Sequence, residues 1–191
     1  ELSEIIKFCY VEQLPISGSF WINVDTEELA KKEKLYIRLS GKKALIGLAV
    51  QRISKKFKNF NVIGSQATNF WNSIRDQNLK FFTDKMSDNT ILWRISVPLA
   101  TDINLVLGED MIFEWMGALR WVKSNEPPSL VRKKVAQAGG HATIYHASDS
   151  MKEKHGSFDQ LGVASKRVHL NLKKVFDPES VFNKGRLYHF M

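Results

Sequence analysis

The chain has 191 residues, a formal net charge of +8 and a hydrophobic fraction of 43%. This is the composition of a globular protein with enough apolar material for one domain core. Its single cysteine, Cys9, excludes an internal disulfide and any metal site built from several cysteines, and its apolar neighbours predict a small buried side chain. No apolar run approaches the roughly 20 residues that cross a bilayer, and no signal peptide opens the sequence, so we expect a cytoplasmic protein.

The N-terminal part of the chain predicts a helix followed by a β-hairpin. Apolar residues at helical spacing predict a helix over residues 2–13, which Pro15 ends. Residues 16–24 and 35–41 alternate in the manner of strands, and the polar residues 26–34 predict the loop that joins them.

The middle of the chain predicts two helices and two strands. The apolar stripe of residues 42–57 has helical spacing, and residues 66–77 form a second helix that Ser65 can cap. Residues 59–64 predict a short strand between the helices, and residues 89–98 predict a strong strand after them.

The C-terminal part continues the mixture of strands and helices. Its expected elements are a β-hairpin over 109–124 hinged at Gly117, a helix over 129–138, a strand over 141–148, a polar and mobile segment over 150–157, and a basic helix over 159–176. Because the strands come as hairpins and the helices separate them irregularly, we predict an α+β fold: an antiparallel β-sheet with helices packed mainly on one face.

The sequence contains no recognisable catalytic or metal-binding motif. The sequence has no P-loop, no GxGxxG turn and no GxSxG nucleophile elbow. His141 and His146 are five apart on an expected strand and should point to opposite faces, so we expect no shared metal. Trp93, Trp115 and Trp121 lie on expected strands at core spacing and are interpreted as core residues.

The net charge of +8 leaves a second class of function open. The lysines are scattered over element ends and polar faces, which favours a solvated surface. A basic, ferredoxin-like α+β domain with aromatic strands could nevertheless bind single-stranded RNA. That function needs an RNP1-like strand, and residues 118–124 share its charge and one aromatic residue but not its pattern.

Several short stretches resemble motifs of one enzyme family. The sequence FDPESVFNKGRLY, at residues 176–188, is similar to the terminal signature of FAD-linked oxidases of the vanillyl-alcohol oxidase superfamily, with Lys184 where the family has proline. Four further stretches are similar, in order and spacing, to the FAD-binding subunits of bacterial glycolate oxidases: LPISG (14–18), LWRISVP (92–98), GALRWVKS (117–124) and AGGHAT (138–143).

This resemblance implies that the chain is the second half of a longer flavoprotein subunit. Residues 1–175 are then a ferredoxin-like cap domain of an FAD-linked oxidase, and residues 176–191 are a tail that packs on an N-terminal FAD-binding domain absent from this chain. The start at Glu1 rather than Met agrees with this expectation. FAD is expected in the full-length subunit and not on this fragment, which by itself is expected to be inactive.

The same resemblance implies a multi-subunit enzyme. The full subunit is expected to act with a sister flavin-containing subunit and an iron–sulfur subunit, oxidising glycolate, a 2-hydroxy acid, to glyoxylate. The complex is expected in the cytoplasm or peripherally at the inner membrane, with no nucleic-acid partner. The present chain is expected to support the flavin site and subunit assembly rather than to carry the full catalytic set.

Related D-2-hydroxyacid dehydrogenases give positions to compare. Their cap domains hold a carboxylate-binding arginine, a metal-binding histidine and a later histidine base, and Ser96, Arg120 and His146 stand at or near those positions here. An arginine at a metal position removes a nitrogen ligand and supplies a permanent cation that can hold an anion. We therefore assign no catalytic residue and expect no metal.

Four residues are flavin-facing candidates under this resemblance: Arg120, His141, Asn183 and Arg186. Two of them have structural alternatives, because Arg120 can form an internal ion pair or point to solvent and His141 can be a structural histidine at a turn. In the tail, Phe176, Phe182 and Tyr188 are the expected anchors on the flavin domain, set by a turn at Pro178 and Gly185.

Overall fold

The computed structural model describes residues 2–23, 33–64, 66–99, 101–103, 105, 108, 110–188 and 190–191. Six strands of these ranges form one antiparallel sheet in the order β2-β1-β4-β5-β3-β6. Their bounds are β1 (Ile16–Ile22), β2 (Lys34–Leu39), β3 (Ile91–Ser96), β4 (Met111–Glu114), β5 (Leu119–Ser124) and β6 (His141–His146). The predicted β1–β2 and β4–β5 hairpins are confirmed, since the strands of each pair are antiparallel neighbours.

Seven α-helices accompany the sheet in the described ranges. They are α1 (Leu2–Val11), α2 (Lys43–Lys56), α3 (Ala67–Arg75), α4 (Lys80–Thr83), α5 (Pro128–Gln137), α6 (Asp149–His155) and α7 (Val163–Phe176). None of these seven is both long enough and apolar enough to pass through a bilayer. The predicted α+β fold with an antiparallel sheet is confirmed.

Alternating side chains give the sheet two packed faces. Trp93 and Ile95 of β3 pack with Val131 of α5, and this side is termed the α5 face. Leu92 of β3 packs on the opposite side with Ile74 of α3, and this side is termed the α3 face.

More helices lie on the α5 face than on the α3 face. Cys9 of α1 and Ala49 of α2 cluster with Ile37 of β2, and Met151 of α6 packs against the α5-face core. The α3 face is covered by α3 and the short α4, which buries Phe81. Burial raises the pKa of the Cys9 thiol to about 11, which agrees with the predicted buried cysteine.

Three local expectations differ from the structure. Residues 59–64 form no strand, and Val62 there is 73% exposed, because an apolar pattern alone does not supply a neighbouring strand. The predicted mobile segment 150–157 instead contains α6, whose acidic first turn and basic last turn suit a helix. The short α4 was not expected. Ser65 and most of the predicted loop, residues 26–32, lie outside the described residues.

A bulge in β6 overturns the prediction for the two histidines. His141 pairs with Ser96, and the register shifts between Leu92 and Trp93 so that His146 pairs with Leu92. Since Leu92 and Ser96 have the same parity on β3, both histidines lie on the α3 face rather than on opposite faces. They remain about 13 Å apart along the strand direction, four residues at about 3.3 Å each, which is too far for one metal ion.

Candidate functional site

Arg120 is enclosed by backbone carbonyl groups. It is 1% exposed, and its Nε donates a hydrogen bond to the Gly117 carbonyl at 3.0 Å. Its Nη2 donates to the carbonyls of Asp102, at 3.0 Å, and Thr101, at 3.3 Å, and its guanidinium lies 4.9 Å from the centre of the Phe113 ring. Burial lowers the pKa of Arg120. These contacts fasten the β4–β5 turn to the loop that follows β3.

The β4–β5 turn has a rare backbone conformation. Trp115, Met116 and Gly117 have φ angles of 51°, 56° and 88°. Positive φ is strained for a bulky side chain and persists where the surroundings hold it. The Met116 N–H donates to Ser19 Oγ at 2.6 Å, and Arg120 binds the Gly117 carbonyl, so the turn is held from two sides.

The three tryptophans interpreted as core residues have different surroundings. Trp93 and Trp121 are buried, as predicted. Trp115 is 64% exposed, so the prediction was wrong for this residue. The strand alternation ends at Glu114, and the strained turn directs the next side chain outward instead of into the core.

Ser96 and Arg120 do not face one another. The β3–β5 register pairs Ser96 with Leu119 and Ile95 with Arg120. Because neighbouring positions of a strand face opposite ways, Ser96 lies on the α3 face and Arg120 on the α5 face. The positions taken from the dehydrogenase comparison therefore do not converge on one site in this chain.

His141 is exposed at the start of β6, opposite Ser96. Gly139 adopts a φ of +76°, and a Cβ on Gly140 would lie 2.3 Å from the Ser96 carbonyl oxygen. The glycine pair therefore allows β6 to approach the backbone of β3. A flavin-facing role for His141 stays a prediction.

The C-terminal signature opens with a turn built around Asp177. Its carboxylate accepts hydrogen bonds from the backbone N–H groups of Val181, at 2.9 Å, and Phe182, at 3.0 Å, and from the Lys173 ammonium group. Lys173 also donates to the Phe182 carbonyl at 2.6 Å. The hydrogen bond from Lys173 and those from the two backbone groups hold the pKa of Asp177 below its ordinary value.

An open groove of about 550 Å³ lies between the end of α7 and the tail. Asn183 and Arg186 both line it, so the structure brings these two flavin-facing candidates together and places Arg120 and His141 elsewhere. Both residues are exposed, and their amide and guanidinium donors fit contact with a flavin or phosphate group. The enclosed guanidinium of Arg120 does not fit such contact, because backbone carbonyls already occupy it.

The side chains of α7 and the following turn leave a large apolar area exposed. None of the residues of α7 is buried. Phe176 is 80% exposed and Phe182 is 68% exposed. The exposed apolar residues on this side are termed the C-terminal surface: Val168, Leu172, Val175, Phe176, Val181 and Phe182.

Tyr188, the third expected anchor, packs within the chain. Its ring stacks on Phe190 at 5.2 Å and contacts Phe158 at 6.1 Å and His169 at 6.2 Å. It therefore fastens the tail to α7, whereas the Phe176 and Phe182 rings are exposed and stack on no other ring of the described residues.

The α3 face also has a polar corner that the sequence did not predict. Trp121 Nε1 donates to Glu114 Oε1 at 2.7 Å, and the Arg94 guanidinium lies 5.9 Å from the centre of the Trp121 ring. Tyr145 packs edge-on against Trp121 at 4.8 Å. Burial raises the pKa of Glu114. The available signal in the sequence was one charged residue in each of two mainly apolar strands, Arg94 in β3 and Glu114 in β4.

Comparison with known proteins gives one curated relative. The chain is 34% identical over 187 residues to glycolate oxidase subunit GlcE of Escherichia coli (strain K12). The resemblance to glycolate oxidase subunits is confirmed. The matched region is 98% of this chain but 45% of GlcE, so the chain spans less than half the length of that relative. No protein-family profile and no solved structure matches the chain.

Proposed function

We propose that the chain is the C-terminal part of the FAD-binding subunit of a glycolate oxidase complex that oxidises glycolate to glyoxylate. In this proposal a preceding domain holds FAD, and the present chain supports the flavin site and assembly of the complex. Its partners are a sister flavin-containing subunit and an iron–sulfur subunit, with the complex in the cytoplasm and in peripheral contact with the inner membrane. Similarity to GlcE along 98% of the chain supports the proposal.

The C-terminal surface is the observation that carries the proposal. An isolated helix of the length of α7 is marginal in water, and helices in proteins gain most of their stability from a packed apolar face. The apolar positions Val168, Leu172, Val175 and Phe176 share one side of α7, yet all are exposed. A contiguous apolar surface of this kind marks an interaction site.

The turn around Asp177 prepares this surface for contact. The Asp177 carboxylate accepts hydrogen bonds from the backbone N–H groups of Val181 and Phe182, and these bonds hold the turn without using the Phe176 or Phe182 side chain. A preorganised segment loses less conformational entropy when it binds. We therefore assign Phe176 and Phe182 to contact with the flavin-binding domain, and Asn183 and Arg186 to the polar rim near the flavin.

The RNA-binding alternative receives no support from the positions of the strand aromatics. Stacking on bases requires exposed rings on a sheet face. Trp21, Trp93, Phe113 and Trp121 are buried. Tyr145 of β6 is 46% exposed, but its ring packs edge-on against Trp121 and its hydroxyl donates to Gln77 Oε1.

The experiment uses the longest natural polypeptide that contains this chain. The double variant Phe176→Ser, Phe182→Ser should lower both bound FAD per polypeptide and glycolate oxidation by about tenfold or more, because two large apolar contacts are lost. Val62→Ser is the control for loss of an exposed apolar side chain elsewhere, since Val62 is 73% exposed and outside the C-terminal surface. Full FAD content and full turnover in the double variant would refute the proposed role of this surface.

A further inference from the structure

The outer side of α2 carries a surface that nothing in the described part of the chain covers. It is termed the α2 surface and comprises six exposed residues: Lys43, Ala44, Gly47, Leu48, Gln51 and Lys55. We propose that an α-helix of a separate polypeptide, with a carboxylate near each end of a small apolar stretch, packs on the α2 surface. That this polypeptide is another subunit of the oxidase complex rests on the proposed function.

Helical spacing directs the middle of the α2 surface away from the core. Ala49 and Ile53 pack on the inner side of α2, in a cluster with residues of α1 and β2. Gly47 and Gln51 are one turn apart and lie on the opposite side of the helix. Leu48 lies beside them and is 54% exposed. An apolar side chain in this position is open to a partner.

Gly47 has no structural reason within the described chain. It lies in the interior of α2, where glycine destabilises a helix relative to alanine. Apart from the backbone of the helix itself, no described atom lies within 4 Å of the position that a Cβ would occupy. The distance between two packed helices depends on the side chains at their contact, so Gly47 and the neighbouring Ala44 allow a second helix to approach closely.

The cations of α2 differ in their partners according to the side on which they lie. Arg52 and Lys56 form ion pairs with two glutamates of α1. Lys43 and Lys55, at the two ends of the α2 surface, have no ion pair within the described residues. The helix contains no acidic residue, and the helix dipole opposes a cation in the first turn, where Lys43 lies. Carboxylates of a partner would complement both lysines at the rim of an interface.

The spacing of the two lysines sets the size of the partner segment. Lys55 follows Lys43 by twelve positions, or about 18 Å of helix. A partner helix of about three to four turns spans this distance. A second copy of this chain would bring like charges together, and neither a lipid bilayer nor RNA presents a ridge of side chains that fits against a glycine. A helix with acidic ends therefore fits best.

The α2 surface lies at the opposite edge of the sheet from the tail. The helix α2 packs with β2, which is the first strand in the sheet order. Residues 157–159, which precede α7, bond to β6, the last strand. Five strand spacings of about 4.8 Å separate these edges by about 24 Å. The C-terminal surface and the α2 surface can therefore hold two different partners at once.

The first test uses the longest natural polypeptide, expressed together with the other subunits. Gly47→Leu fills the contact but favours the helix, and Lys43→Glu removes a rim cation but suits the helix dipole. Each should reduce copurification of a partner subunit by about tenfold or more, while the melting temperature of the polypeptide alone does not fall. Ala136→Leu and Lys133→Glu, on the exposed side of α5, are matched controls that should copurify as the wild type does.

Two outcomes of this test overturn the proposal. The first is wild-type copurification of both α2 variants. The second is a lower melting temperature in both, because packing within the chain would then explain the loss of the partner.

Photocross-linking in living cells identifies the occupant independently of the proposed function. Gln51→p-benzoylphenylalanine places the reactive group in the middle of the α2 surface. Cross-links to a helix of a separate polypeptide with acidic residues about twelve positions apart support the proposal. If that polypeptide is no subunit of a flavin enzyme, the proposed function alone fails. Cross-links to the same polypeptide, to a second copy, to lipid or to nucleic acid overturn the inference, and so does the absence of any cross-link.

Discussion

The carboxylate of Asp177 accepts a hydrogen bond from the Phe182 backbone N–H at 3.0 Å, across five residues of the C-terminal signature. The residues around this bond have two different roles. Asp177 and Lys173 build the turn, whereas the Phe176 and Phe182 side chains take no part in it and are exposed. The hydrogen bonds that hold the turn therefore all lie within the chain.

Asp177→Asn is expected to loosen the tail. The amide keeps one acceptor oxygen but loses the charge that binds Lys173, so limited proteolysis within residues 178–188 should become faster at neutral pH. The exposed neighbour Glu179 gives a matched control, and Glu179→Gln should leave the cleavage rate unchanged. Equal cleavage of the Asp177→Asn variant and the wild type would show that the turn does not depend on this charge.

The same turn should respond to acid. Because the folded pKa of Asp177 is depressed, its stabilising contribution is complete above the ordinary pKa, about 3.9, and is lost as the pH falls through the lower folded value. NMR shifts of the Val181 and Phe182 amides should therefore change together below about pH 4. Titration of these amides at a higher pH would contradict the assigned cause.

Arg120→Met is expected to destabilise the protein by about 3 kcal/mol, because several buried carbonyls lose their donor and the strained β4–β5 turn loses one of its two restraints. Chemical denaturation measures the free energy of unfolding. Arg52→Met, at an exposed ion pair with Glu12, should cost less than about 1 kcal/mol. If both variants are equally stable while only Arg120→Met lowers turnover, Arg120 contacts the reaction centre and not merely the turn.

Gly140→Ala is expected to cost about 3 kcal/mol or more, since the new Cβ would meet the Ser96 carbonyl oxygen at 2.3 Å and force β6 away from β3. Gly162→Ala has nothing within 4 Å of its new Cβ and an ordinary φ of −61°, so its free energy of unfolding should change by less than about 0.5 kcal/mol. Comparable melting temperatures for the two variants would disprove the close strand approach.

Glu114→Gln is expected to stabilise the protein at pH 7. The folded pKa of Glu114 is raised by burial, so its contribution favours the folded state at low pH and is lost as the pH rises through the folded pKa, from about 4 upward. An amide oxygen can still accept the Trp121 hydrogen bond without a buried charge. Glu126→Gln should have the opposite sign, because it removes an ion pair with Lys134. If Glu114→Gln is instead less stable than the wild type at pH 7, the negative charge of Glu114 stabilises the folded protein.

The periodicity of apolar residues predicted most of the helices and strands, because most of these elements bury one regularly spaced set of apolar side chains. Residues 42–57 and 89–98 were assigned on that basis, and α2 and β3 lie there. The pattern of residues 59–64 was also strand-like, but pairing depends on a neighbouring strand that sequence does not reveal. The helix α6 is polar, with Met151 packed against the α5-face core and Arg132 bonded to the His155 carbonyl, so it carried little periodic signal.

The candidate site was harder to predict, because the face of the sheet on which a residue lies depends on the register of its strand. The bulge in β6 moved His146 to the face of His141, and one position of register separates Ser96 from the face of Arg120. The burial of Arg120 among carbonyls follows from a loop brought back over the sheet, which no local pattern encodes. The role of the signature as a preformed turn likewise depends on Lys173, which lies upstream of the motif.

Alkylation of single introduced cysteines tests the central claim most directly. Val175 lies on the C-terminal surface and Val62 lies outside it, and each is 73% exposed in this chain. The native Cys9 is buried with a pKa of about 11, so it contributes little background. In the longest natural polypeptide, Val175→Cys should react about tenfold or more slowly than Val62→Cys, because the surface is covered. Equal rates would contradict the account that this surface docks on the flavin-binding domain.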